Sequence, residues 1–192
     1  MTTETDQSSE TDQSSEEEAL AERARARQAL EPGERFPDLD LPDHTGRARV
    51  LSELSGGDPV VLVFSRGWWC PKEQTYLRRL VEVQSEFEVA YARIVVVSVD
   101  PSEVQSAFRA GLGARFTFLS DSERRWLPRL GLLEASDTEH HPYRPIAFTL
   151  YPDLTVHRRY AGDWYWGRAT PEELRADMRE ITRNVRPDWE PE

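Results

Sequence analysis

The chain has 192 residues, 38% of them hydrophobic, and a formal net charge of −11. That length suits one domain with an appendage and allows a sizeable core; the acidic balance argues against general nucleic-acid binding, which needs a basic face. Its single cysteine, Cys70, excludes an intrachain disulfide, a CxxC redox pair and a multi-cysteine zinc site, and suits a reducing cytoplasm, the expected location.

Residues 1–20 are polar and acidic and do not read as a signal peptide, and no segment approaches the ~20 apolar residues of a membrane span. The run Thr5 to Glu10 repeats at once as Thr11 to Glu16. It is acidic and lacks large apolar groups, so residues 1–15 are expected to be a disordered tail. Residues 16–29 are strong helix formers, acidic first and basic last, as the helix dipole favours. Pro32 and Gly33 end this stretch, which makes 16–31 a helix or linker and 32–192 the folded domain.

Val60 to Phe64 read as a buried strand. Residues 71–90 carry a helical pattern, with Tyr76, Leu77, Leu80, Val81, Val83 and Phe87 apolar. Ile94 to Val99 form the next strand. Asp100, Pro101, Ser102 and Glu103 read as a helix start, with Asp100 as N-cap. Helix follows from Val104 to Ala110, then a short strand from Phe116 to Leu119 and a short helix from Asp121 to Leu130. Ile146 to Leu150 and Thr155 to Tyr160 flank a hairpin turn at 151–154. Thr170, Pro171, Glu172 and Glu173 open a last helix that runs to about Asn184. This alternation predicts an α/β fold, a mixed central sheet flanked by helices.

Cys70 stands between the strand and the helix, with Pro71 at the first helical position. A thiol there faces unpaired backbone N–H groups and the positive end of the helix dipole. Both favour the thiolate, which is the nucleophilic form. Glu73 suits the N3 position of the same helix. His140 and His141 lie near Asp137 and Glu139, but adjacent histidines project differently and no spaced third ligand follows, so no metal site is read. No cofactor motif is read either. His44 and His157 are isolated. The stretch Asp163 to Gly167 is rich in Trp and Tyr; a cover over the site, a homodimer contact and packing of the last helix all remain open for it.

Five stretches, in order, resemble the peroxiredoxin form of the thioredoxin fold, the alkyl hydroperoxide reductase C and thiol-specific antioxidant group (AhpC/TSA). They are Gly33 to Leu41, Phe64 to Glu73 with its Cys-Pro-x-Glu ending, Val97 to Asp100, Phe118 to Asp121, and Arg144 to Phe148. The resemblance covers roughly residues 31–185. Two positions depart from the family's P-x-x-x-T-x-x-C motif: Val63 stands for its proline and Gly67 for its threonine. Ser65 is the nearest substitute for that threonine's hydroxyl.

The resemblance implies a one-cysteine thiol peroxidase that converts hydrogen peroxide or an alkyl hydroperoxide to water or alcohol. Cys70 would be the nucleophile and Pro71 would shield it. Arg144 would fold over the site as fixed positive charge, with Arg66 as a second source. Glu73 would orient an arginine. Trp68 and Trp69 would wall the pocket, and Pro145 would be the cis-proline that faces the active-site loop. With no second cysteine, an external thiol or thioredoxin-type reductant would restore Cys70. The alternative is a thioredoxin-fold binding or regulatory protein that has lost peroxidase chemistry.

Overall fold

Val60–Phe64 (β3) is the central strand of a five-stranded sheet in the computed structural model, which describes residues 30–161 and 168–188. A short antiparallel pair, β1 (Asp40–Pro42) and β2 (Ala48–Val50), precedes it, followed by α1 (Leu51–Ser55). After β3 come α2 (Pro71–Val89), β4 (Arg93–Ser98), α3 (Ser102–Leu112), β5 (Thr117–Ser120) and α4 (Trp126–Arg129). A long connection leads to β6 (Ile146–Leu150), β7 (Val156–Ala161) and α5 (Pro171–Val185).

The sheet order is β5-β4-β3-β6-β7. Strands β3, β4 and β5 run parallel, and β6 and β7 complete the sheet antiparallel. All five residues of β3 are buried, which is why the strand reads as an unbroken apolar run and not as an alternation. Its side chains still divide by parity. Val60, Leu62 and Phe64 join a core with Phe36, Leu39 and Phe148. Val61 and Val63 point the other way, into a core with Leu77 and Leu80 of α2 and Leu174 and Ile181 of α5.

The observed bounds differ from the sequence reading where side chains compete with backbone. Asp100 is not the cap of α3: Pro101 takes the N-cap position without a side-chain bond, because the Asp100 carboxylate is held by Ser98 Oγ and the Trp68 N–H. The helix expected from Asp121 begins only at Trp126. The buried Asp121 carboxylate accepts the N–H groups of Arg125, Trp126 and Leu127 and the Tyr143 hydroxyl, which fixes residues 121–125 as a turn. Helix α5 starts as its sequence implies, with a reciprocal capping box between Thr170 and Glu173. Elements β1, β2 and α1 are too short, at three to five residues, to carry a readable period. The acidic tail of residues 1–15, the helix expected over 16–31 apart from Leu30 and Glu31, and the stretch Asp163 to Gly167 lie outside the described residues.

Candidate active site

Beyond Phe64 the chain makes one more bond to β4, from Ser65 N–H to Val97 O at 2.8 Å, and then turns. Ser65 Oγ accepts the Gly67 N–H at 3.2 Å. Cys70 N–H donates to Gly67 O at 3.2 Å, and Gln74 N–H donates to Cys70 O at 3.1 Å. The Gln74 side-chain amide also donates to Trp68 O at 2.8 Å. These bonds place Cys70 at the N-cap of α2, with extended backbone and with Pro71 at the start of the helix. Proline suits that place because its missing N–H would be unpaired there in any residue. The cysteine is 3% exposed.

Gly67 has φ +128°, and a Cβ added to it would lie 2.9 Å from Trp69 Nε1 and 3.0 Å from each Asp100 carboxylate oxygen. Both the backbone conformation and the space require glycine here. The threonine of the resembled motif therefore has no room in this loop. The Ser65 hydroxyl offered in its place is buried and already engaged with Gly67 N–H. Asp100 occupies the contested space; burial pushes its carboxyl above the usual range, against the opposing pull of the Ser98 hydroxyl, the Trp68 N–H and His140.

Arg66 pairs with Asp137 at 2.7 Å, and its guanidinium lies 5.0 Å from the centre of the Trp69 ring. The His140 ring stacks on the same indole at 3.8 Å. Asp137 accepts the N–H groups of Glu139 and His140 and meets His140 Nδ1 at 3.2 Å. Burial pushes the Asp137 carboxyl up, but the His140 N–H, Arg66 and the His140 ring outweigh it and hold the group at about 2. The loop that carries these residues is thus clamped to the Cys70 turn. Sequence reading set His140 aside; its stacking on Trp69 bridges the two loops across the fold, beyond the reach of spacing.

Glu73 is fully buried one helical turn after Cys70, and its partner is Arg168, whose guanidinium forms an ion pair with Glu73 Oε1. Arg168 also lies 6.0 Å from the centre of the Tyr76 ring. Glu73 Oε2, Arg168 Nε and the Tyr76 hydroxyl are buried without a hydrogen-bond partner among the described residues. Arg168 went unnoticed in the sequence because nothing local marks it; the buried Glu73, which needs a cation, was the available clue.

Arg144 precedes β6 at the end of the sheet where β3 leads into the Cys70 turn, since Phe64 pairs with Ile146. It lines a cleft of about 170 Å³ with Leu130, Leu132, Ile146, Phe148 and Arg159. Four of those side chains belong to the core on the sheet face opposite α2; the cation paired with Glu73 is Arg168. Pro145 follows with a trans bond, since the described residues contain no cis peptide; the expected cis-proline is corrected. Trp68 is half exposed and lines a shallow groove with Val104 and Phe108 of α3, away from the Arg66, Trp69 and His140 cluster.

A family model described as the AhpC/TSA family matches residues 32–158. A protein of Mycobacterium tuberculosis that carries a peroxiredoxin name is 29% identical over 130 residues, covering 66% of this chain and 82% of its own. Among solved structures, peroxidoxin BcpB of the same organism is 22% identical with a TM-score of 0.66, covering 84% of this chain and 99% of its own. Prx3 of Vibrio vulnificus, solved reduced and in complex with hydrogen peroxide, is 19% identical with a TM-score of 0.69, covering 77% and 97%. A yeast mitochondrial 1-Cys peroxiredoxin is 15% identical with a TM-score of 0.69, covering 84% of each chain. These likenesses show the fold: a thioredoxin-like α/β sandwich of the peroxiredoxin form.

Proposed function

This chain belongs to the AhpC/TSA family, and from that premise we propose that it is a thiol peroxidase of the one-cysteine type. The observation that carries the reading is the placement of Cys70, buried at the N-terminus of α2 with Pro71 behind it and the Glu73–Arg168 pair one turn on.

In the proposed reaction the Cys70 thiolate attacks one peroxide oxygen. The S–O bond forms as the O–O bond breaks, and the departing oxygen takes a proton and leaves as water or alcohol. Cys70 becomes a sulfenic acid. Backbone N–H groups at the start of α2 stabilise charge in the transition state. Arg168, fixed by Glu73, and Arg144, at the sheet end that leads to Cys70, supply the fixed positive charge. A first external thiol then condenses with the sulfenic acid, giving a mixed disulfide and water. A second thiol releases Cys70 and leaves as the disulfide, so the external pair is oxidised by two electrons.

A second reading, a binding protein without peroxidase chemistry, draws on Gly67: no hydroxyl projects from that position, and a carboxylate stands against it. One experiment separates the two. Wild type and Cys70→Ser are given a stoichiometric dose of hydrogen peroxide with a sulfenic-acid trap and are read by mass spectrometry. The peroxidase reading expects the trap on Cys70 and peroxide consumption that the variant lacks. A reduced, untrapped Cys70, with consumption equal in both proteins, sinks it.

A further inference from the structure

On the sheet edge formed by β7, His157 faces two carboxylates of α5. Its side chain is 8% exposed, and Nε2 lies 3.7 Å from Asp177 Oδ1 and 3.5 Å from Glu180 Oε2. Nε2 is buried and has no hydrogen-bond partner among the described residues. A buried ring nitrogen aimed at two carboxylates, yet bonded to neither, is costly unless something satisfies it. The three donor atoms all lie within 4.8 Å of one another.

The backbone is shaped to make this arrangement. Thr149 of β6 pairs with Arg158 and Leu150 pairs with Val156, a register shift that leaves His157 as the extra residue of a bulge. Bulges re-aim side chains and gather at functional places. Here the shift lets both His157 and Arg158 reach α5, where alternation alone would send them to opposite faces. Asp177 and Glu180 stand three apart on the helix and so share a face. Asp177 is 1% exposed, and its other oxygen, Oδ2, accepts the hydroxyls of Thr149 at 2.9 Å and Tyr160 at 2.7 Å. Those bonds orient the carboxylate and turn Oδ1 toward His157 at 3.7 Å and the Arg158 Nε at 3.3 Å.

We propose that His157 Nε2, Asp177 Oδ1 and Glu180 Oε2 bind a divalent transition-metal ion of the zinc class. One imidazole and two carboxylates are a donor set that such ions accept. Donors around a tetrahedral zinc ion at ~2.0–2.2 Å stand roughly 3.3–3.6 Å apart. The His157–Glu180 separation of 3.5 Å falls within that spacing and the His157–Asp177 separation of 3.7 Å lies just above it, and a small movement of the half-exposed Glu180 closes the third. Glu180 also leaves a side open to solvent, for entry and for a water as fourth ligand. Thr149 and Tyr160 are the outer partners that hold a metal-binding carboxylate in place. Arg158 lies 3.3 Å from Asp177 and 3.4 Å from Glu180; it neutralises the acids in the metal-free protein, and its half-exposed guanidinium swings out when the ion enters. The bound ion pins α5 to β7.

The test is calorimetric titration of the full chain, stripped with chelator, with zinc chloride, and cobalt(II) in parallel for its visible spectrum. The expected result is saturable binding of one ion, a tetrahedral cobalt spectrum without a thiolate charge-transfer band, and a raised melting temperature with zinc. His157→Gln and Glu180→Gln abolish binding, and Thr149→Val weakens it by about tenfold or more. Arg158→Gln tightens it, because a competing cation is gone. Circular dichroism checks that each variant is folded, and Glu180, on the surface, is the substitution least able to disturb the core. Absence of saturable binding, binding that survives both ligand substitutions, or weaker binding in Arg158→Gln overturns the proposal.

Discussion

Gly67 decides which neighbours Cys70 has. Its φ of +128° and the nearness of Trp69 and Asp100 make it intolerant of any side chain. Gly67→Ala is expected to lower stability by about 1–3 kcal/mol from backbone strain, with the steric conflict adding to it; urea unfolding measures the loss, and an unchanged midpoint would refute it. Cys70 and Pro71 were legible in the sequence because a cap position and its following proline are consecutive residues. The need for glycine was not, since the obstructing carboxylate belongs to a residue from the neighbouring strand end. The same distance hid Arg168, the partner of Glu73, which lies 95 residues further along the chain.

Helix α2 is tied to the approach to α5 by one buried ion pair, Glu73 with Arg168. Removing one partner leaves a charge stranded in a dry environment, so Arg168→Met is expected to cost about 3–5 kcal/mol. Replacing both, as Arg168→Met with Glu73→Gln, should restore most of that stability. A double-mutant cycle by chemical denaturation gives the coupling, and additive losses would show that the pair does not hold the two elements. Elements with a long hydrophobic period or an adjacent cap, such as β3, α2 and α5, were readable from the chain. Elements set by a distant side chain were not: Asp121 delays α4, and Asp100 abandons the cap of α3 for the loop at Trp68.

For the molecule as a whole, the connection between α4 and β6 behaves as part of the candidate site, clamped by Asp137 to Arg66 and His140. The Asp137 carboxyl, ordinarily near 3.8, is held at about 2 in the fold. A depressed folded value means that its contribution to stability is complete above 3.8 and disappears as pH falls through about 2. The stability gap between wild type and Asp137→Asn is therefore expected to be constant above the ordinary value and to shrink below it. Urea unfolding across acid pH checks this, and a gap that widened on acidification would contradict it. Among the described residues no helix is long and apolar enough to cross a membrane. The α/β class, the mixed sheet and the order of its parts were visible in the sequence because buried parallel strands announce themselves as apolar runs. The two-loop clamp was invisible because stacking and ion pairing between loops leave no periodic trace.

The crowding around Gly67 also constrains how such a chain can change over generations. A threonine cannot enter at 67 as a first step, because it would meet the Trp69 indole and the Asp100 carboxylate together. Those residues must be replaced by smaller ones, and the loop relaxed, before the hydroxyl becomes tolerable. The order of substitutions is therefore constrained: the neighbours of Gly67 change before a side chain can enter at 67.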